Sequence, residues 1–146
     1  MNSILDPIDP TLPALDQALT LQRRAATIGF DWSHVQEIFH KLQEEIAELQ
    51  HEIQEQQTVD KITDELGDLF FCCVNLARHL GIAPHAALQQ ANVKFEARFR
   101  LVEHNAKSRG LSLQGADLAT LNTLWDEAKT ILNASSGSQS HYRADK

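Results

Sequence analysis

Lys41-Leu-Gln-Glu-Glu-Ile-Ala-Glu48 and Asp64-Glu-Leu-Gly-Asp68 each read as helix, and each places carboxylates three residues apart. At about 100° per residue, two residues three apart lie on nearly the same side of a helix, one turn from each other. Glu45 with Glu48 therefore forms one acidic pair, and Glu65 with Asp68 a second. Four carboxylates from two consecutive helices supply the oxygen-rich donor set that a hard cation such as Mg²⁺ prefers, with Mn²⁺ as an alternative. Like charges held together cost stability unless something compensates, and a divalent cation does so. Taken singly, each pair reads first as a solvated helix face, and Glu44, Glu52 and Glu55 are read as that; two pairs on corresponding flanks of consecutive helices turn the reading towards a metal site.

The apolar residues around these pairs set the helices. Val35, Ile38, Phe39, Leu42, Ile46, Leu49 and Ile53 recur at three and four residues, which predicts a second helix over 33–56, with Asp31 or Ser33 as its cap and Ser33 with Gln36 as a capping box. Ile62, Leu66, Leu69, Cys73, Leu76, Ala77 and Leu80 make the stripe of a third helix over 59–80. In both helices the acidic residues fall on one flank of the stripe, outside its middle. Leu15, Leu19, Ala26 and Ile28 suggest a first helix ending at Gly29. Gly81 and Pro84 separate the third helix from a fourth over 84–107, with Leu88, Ala91, Phe95, Phe99 and Val102 inward and Lys94 and Arg98 on its flank. Asp117 can cap a last helix carrying Leu118, Leu121, Leu124, Trp125, Ala128 and Ile131. The fold class is all-α, with no strand-like alternation. Residues 1–13 read as an irregular lead-in or linker, 14–132 as one domain, and 133–146 as a disordered tail of Ser, Gly and Gln.

A chain of 146 residues with 42% hydrophobic content is large enough for a real core. Its formal net charge of −7 argues against nucleic acid or an anionic membrane as partner. The adjacent Cys72 and Cys73 form no disulfide or zinc pattern and read as packing residues, and none of the seven histidines stands at metal-ligand spacing. With no apolar run of membrane-spanning length, the composition reads as a soluble, cytoplasmic protein. Trp32 reads as core packing near a helix start rather than as a stacking platform. Phe39, Phe70 and Phe71 lie at or beyond the edges of their stripes, which predicts an oligomer, at least a dimer, in which paired hairpins form a four-helix bundle.

Glu44-Glu-Ile-Ala-Glu48, sixteen intervening residues and Glu65-Leu-Gly-Asp68 resemble the EExxE…ExxD signature of the MazG-type nucleoside triphosphate pyrophosphohydrolases. Leu12-Pro-Ala-Leu15, Gly29-Phe-Asp-Trp32, Val74-Asn-Leu-Ala-Arg-His-Leu-Gly81 and Asn92-Val-Lys-Phe-Glu-Ala-Arg-Phe99 resemble MazG segments in the same order, so the likeness covers about residues 11 to 130. The resemblance implies an all-α, dimeric, Mg²⁺-binding enzyme that cleaves a nucleoside triphosphate between its α- and β-phosphates, giving a monophosphate and pyrophosphate. It implies Glu45, Glu48, Glu65 and Asp68 as metal ligands, and Lys61, Lys94 and Arg98 as phosphate-contacting cations, with Lys61 and Arg98 also placed among the catalytic groups. Asn75 matches a polar position near the site, and Trp125 and Lys129 an aromatic–basic pair near the nucleotide. Glu45 or Glu48 is the general-base candidate. The archetypal MazG protein is a tandem of two such domains, and this chain resembles its C-terminal, catalytically competent half. The alternatives are a narrower pyrophosphatase of the same superfamily, acting on dCTP, dUTP or phosphoribosyl-ATP, and a non-catalytic helical dimerisation module with an acidic groove.

Overall fold

The computed structural model describes residues 3–137, which form five α-helices and, among the described residues, no strand. They are α1 (Ala14–Ala26), α2 (Val35–Gln54), α3 (Val59–His79), α4 (Pro84–Ser108) and α5 (Leu118–Gly137). Two compact units divide the chain, Met1–Leu88 and Gln89–Lys146.

In the first unit α3 is the central helix, packed on both α2 and α1. Residues 3–13 contain no helix or strand. Gly29, at φ +83°, turns the chain after α1 in a conformation that costs a side-chain-bearing residue about 1–2 kcal/mol. The N-terminus of α2 differs from the expected box. His34 is the cap, and the Glu37 carboxylate accepts from the Ser33 and His34 backbone N–H groups at 3.0 and 3.3 Å. Glu37 stands three residues from His34 and four from Ser33, so the frame is one residue later than the Ser33–Gln36 pairing. Residues 55–58 then join α2 to α3, and Thr58 caps α3 through Lys61 N–H.

The buried faces of α2 and α3 depart from the apolar stripes. Ile38 is fully buried and so is the flank residue Glu45, at 5% exposure, whereas Phe39 and Ile46 in the stripe are 42% and 43% exposed. On α3, Cys72 and Val74 are buried, while Leu66, Cys73 and Leu80 of the stripe are exposed. Periodicity finds an apolar face but not which part of it the chain itself covers. Here α2 and α3 turn a strip on the acidic side of their stripes towards each other. This leaves an apolar band on the far side, with Phe39, Ile46, Leu66 and Phe70 among its exposed members.

The second unit has a small core of Val102 and Ala106 on α4 against Leu124 and Ala128 on α5. Arg109 and Glu127 pair across it at 2.7 Å. Of the α4 residues expected inward, Val102 is buried, whereas Leu88, Ala91, Phe95 and Phe99 are exposed. Helix α5 continues to Gly137, into the stretch 133–146 expected as a tail, and residues 138–146 lie outside the described residues. No single helix among the described residues is long and apolar enough to cross a membrane.

Candidate metal centre and adjoining cavity

The centre is built where α2 and α3 turn their acidic flanks inward. Glu45, Glu65 and Asp68 bring carboxylate oxygens to within 4.8 Å of one another. Glu45 is the buried member, and its Oε1 accepts from Lys41 Nζ at 2.7 Å, one turn earlier on α2. Glu44 also meets that ammonium, at 3.1 Å. The other oxygen of Glu45, Oε2, is buried without a hydrogen-bond partner. An orphaned carboxylate oxygen of this kind is costly unless a cation or donor meets it, and the all-oxygen donor set suits a hard divalent ion. Three of the four expected carboxylates therefore converge, while Glu48 is exposed and outside the three-way cluster.

Beside the cluster lies a cavity of about 720 Å³, into whose wall Phe30, Trp32, Lys41, Glu45, Asp68 and Asn75 all enter. Trp32, expected as core packing, lines this space. Its position is set by its neighbour Asp31, which makes a two-pronged ion pair with Arg78 near the end of α3, Nη1 to Oδ2 at 2.8 Å. Arg78 also donates to Asn75 Oδ1 at 2.9 Å, and His79 Nε2 lies 3.0 Å from Asp31 Oδ1. The Arg78 guanidinium holds the Asp31 carboxyl far below the usual carboxylate range. From α1, the buried Gln22 also reaches the cavity, its Nε2 donating to the Phe71 carbonyl at 2.8 Å.

Of the other expected residues in the first unit, Lys61 does not line this cavity. Lys61 is exposed in the first turn of α3 and donates to Gln57 Oε1 at 3.1 Å. In the second unit, Lys94 is exposed. Arg98 lies over the Trp125 ring at 5.9 Å, and Phe95 packs on the same ring with centroids 5.3 Å apart. Lys129 pairs with Asp126 at 2.6 Å.

Residues 33–102 match the MazG nucleotide pyrophosphohydrolase domain. The chain carries a MazG domain. It is also 47% identical over 130 residues to the nucleoside triphosphate pyrophosphohydrolase of Escherichia coli K12, an alignment covering 88% of this chain and 49% of that protein. A nucleoside triphosphate pyrophosphohydrolase/pyrophosphatase MazG from Thermotoga maritima is 35% identical over 128 residues, again 88% of this chain and 49% of the relative. The uncharacterized protein YabN of Bacillus subtilis is 41% identical over 128 residues and 26% of its own length. The chain thus spans about half the length, or less, of the curated relatives it matches.

Within the MazG domain, Glu65 carries the electrostatic cost of the cluster. Burial pushes its carboxyl up from the ordinary 4.5, and the charges of Glu48, Glu45, Asp68 and Glu52 push it further. A carboxyl with a raised folded-state pKa destabilises the fold when ionised, and that penalty disappears as pH falls through the raised value towards 4.5. Glu65→Gln should therefore raise the metal-free melting temperature at pH 7 and make little difference near pH 4.5, measured by thermal circular dichroism in chelator. An unchanged or lower melting temperature at pH 7 would detach Glu65 from its acidic neighbours.

Sequence reasoning missed Lys41, Asp31, Arg78 and Gln22 as site residues. Signals existed for three of them. Lys41 begins the quoted acidic stretch, four residues before Glu45, and Asp31 and Arg78 each sit inside a family-like segment. Gln22 had none.

Proposed function

We propose that this chain hydrolyses nucleoside triphosphates between the α- and β-phosphates, releasing a nucleoside monophosphate and pyrophosphate, in a Mg²⁺-dependent reaction. The observation that carries the proposal is the convergence of Glu45, Glu65 and Asp68 from two helices at the edge of a cavity with aromatic and amide walls. Those three carboxylates would hold the ion, with Mn²⁺ as an alternative, and Glu48 stands ready at the margin. When bound, such an ion supplies charge neutralisation and Lewis acidity. Lys41 holds Glu45 in place and offsets part of the acidic field. Because Glu45 already accepts from Lys41, Glu48 is the better placed of the two candidates to take a proton from the attacking water. Lys61, Lys94 and Arg98 are assigned to the phosphates by their motif positions, and Trp125 and Lys129 to the nucleotide. A cytoplasmic nucleotide pool is the corresponding substrate source. The test is the product: purified chain with Mg²⁺ and a panel of nucleoside triphosphates should release pyrophosphate and no orthophosphate. Orthophosphate as first product, or no turnover with any triphosphate, would overturn the reading, and the panel separates a broad enzyme from one restricted to dCTP, dUTP or phosphoribosyl-ATP.

The working unit is proposed to be at least a homodimer. Phe39, Ile46, Leu66 and Phe70 leave a band of apolar surface on α2 and α3 of the kind that marks an interface. Pairing this face with a second copy would make a four-helix bundle of two hairpins. Sedimentation equilibrium at micromolar concentration should give at least twice the chain mass of 16.4 kDa. Phe70→Glu should shift it towards monomer. A monomer with full turnover would remove the oligomer from the mechanism.

A further inference from the structure

Of the three converging carboxylates, Glu45 is the one that also pairs with a cation among the described residues. Lys41 Nζ meets its Oε1 at 2.7 Å from one turn earlier on the same helix. The same ammonium meets Glu44 Oε1 at 3.1 Å, so two contacts fix its position. Glu45 is only 5% exposed, which keeps water from replacing this partner. Its second oxygen, Oε2, is buried and has no hydrogen-bond partner. The two oxygens of one carboxylate are therefore in opposite conditions. Oε1 is engaged by a positive charge, and Oε2 is the oxygen left over for an ion.

We propose that Lys41 determines which ion the centre takes: by holding Glu45 Oε1 it limits Glu45 to one-oxygen coordination through Oε2, which favours Mg²⁺ over Ca²⁺. The inference rests on the divalent-ion reading given above and extends it from the ligands to the residue that restrains one of them. Mg²⁺ is small and holds about six oxygens in a near-ideal octahedron, which suits single oxygens from separate groups. Ca²⁺ is larger, takes about six to eight oxygens, and readily accepts both oxygens of one carboxylate, which raises its ligand count without further protein groups. For Ca²⁺ to use Glu45 in that way, Oε1 would have to leave the Lys41 ammonium or share its charge with it, and two cations would crowd one carboxylate edge. That penalty falls on two-oxygen coordination and spares coordination through Oε2. Lys41 acts through Glu45 and not by touching the ion, so it is a positioning residue.

Displacement of Mn²⁺ from the chelator-stripped full chain, followed by electron paramagnetic resonance without nucleotide, tests this. Mg²⁺ and Ca²⁺ are titrated separately against bound Mn²⁺, which gives both dissociation constants at one site, and loss of the signal in Asp68→Asn identifies that site. Lys41→Met, close in length and without charge or donor, should tighten both ions, because a cation leaves the site. It should tighten Ca²⁺ about tenfold more than Mg²⁺, the scale of a charge-assisted hydrogen bond that no longer opposes the second oxygen. Lys41→Ala removes the same group and should move the ratio alike, which carries the test if Lys41→Met fails to fold. Glu44→Gln leaves Lys41 on Glu45 and should keep the parent ratio to within about twofold. An equal change for both ions in the Lys41 variants, or a shift as large in Glu44→Gln, would overturn the selectivity role and leave the metal centre standing. A parent chain that binds no Mn²⁺, or a signal that survives in Asp68→Asn, overturns the metal reading and this inference with it. A chain that hydrolyses no triphosphate yet shows the ratio shift keeps the selectivity role and overturns the enzyme reading.

Discussion

Asp68→Asn is expected to lower pyrophosphate release by about 10³-fold or more, since losing several kcal/mol of ion-dependent stabilisation corresponds to that factor in rate. The fold should survive, because Asp68 is exposed and its removal relieves repulsion on Glu65. Glu45→Gln should lose turnover to a similar degree and behave differently in stability. Its buried oxygen holds Lys41 at 2.7 Å, so the change weakens a charge-assisted bond and costs about 1–3 kcal/mol. The pair of variants therefore separates the two duties of the cluster: both are inactive, Asp68→Asn melts at or above the parent temperature, and Glu45→Gln melts below it. Steady-state pyrophosphate release and thermal unfolding in chelator supply the two measurements. Near-parental turnover by Asp68→Asn at limiting Mg²⁺ would remove this centre from the reaction.

How much of this was legible in the sequence depends on the range of the interaction. Glu45, Glu65 and Asp68 were readable because a helix fixes the direction of residues three and four apart, whatever surrounds it. The five helices were readable for the same reason, with Gly29, Gly81 and Pro84 marking their ends. The rotation of each helix about its axis was not. Glu45 falls on the acidic flank by its spacing, yet it is buried, as is Cys72, because α2 and α3 meet along that side, with Cys72 Sγ directed at the Ile38 carbonyl at 3.8 Å. An apolar stripe ranks the faces of a helix by transfer free energy, but a second copy or a ligand can claim the best-ranked face. The amide and ion-pair partners of the cavity were also beyond periodicity. Gln22 finds Phe71 49 residues away, and Asp31 finds Arg78 47 residues away. Such pairs depend on tertiary approach, and no local spacing encodes them.

The Asp31–Arg78 pair joins the loop before α2 to the end of α3, and its loss should be the larger blow to stability. Both side chains are shielded, Arg78 at 13% and Asp31 at 25% exposure, and the contact is two-pronged. A positive charge in the last turn of α3 also complements the helix dipole. Breaking a fully buried pair from one side costs about 3–5 kcal/mol, and partial exposure reduces that here to about 2–3 kcal/mol for Arg78→Ala. A loss of that size corresponds to a melting temperature lower by roughly 6–12 °C. The pH dependence has a definite sign. Asp31 is depressed in the folded state, so its contribution is fully present above the ordinary 3.8 and is lost as pH falls below it. The gap between parent and Arg78→Ala should therefore be constant from pH 7 to about 5 and narrow below pH 4. Comparing the two proteins at each pH cancels the opposite drift contributed by Glu65. Asp31→Ala should reproduce most of the loss, and the double variant should be little worse than either single one, as expected for partners in one interaction. Trp32 fluorescence should move in both, since its neighbour is what ties the cavity wall to α3. A melting temperature within a degree of the parent at pH 7 would make the pair an ordinary solvated contact and leave Asn75 and Trp32 to be held by packing alone.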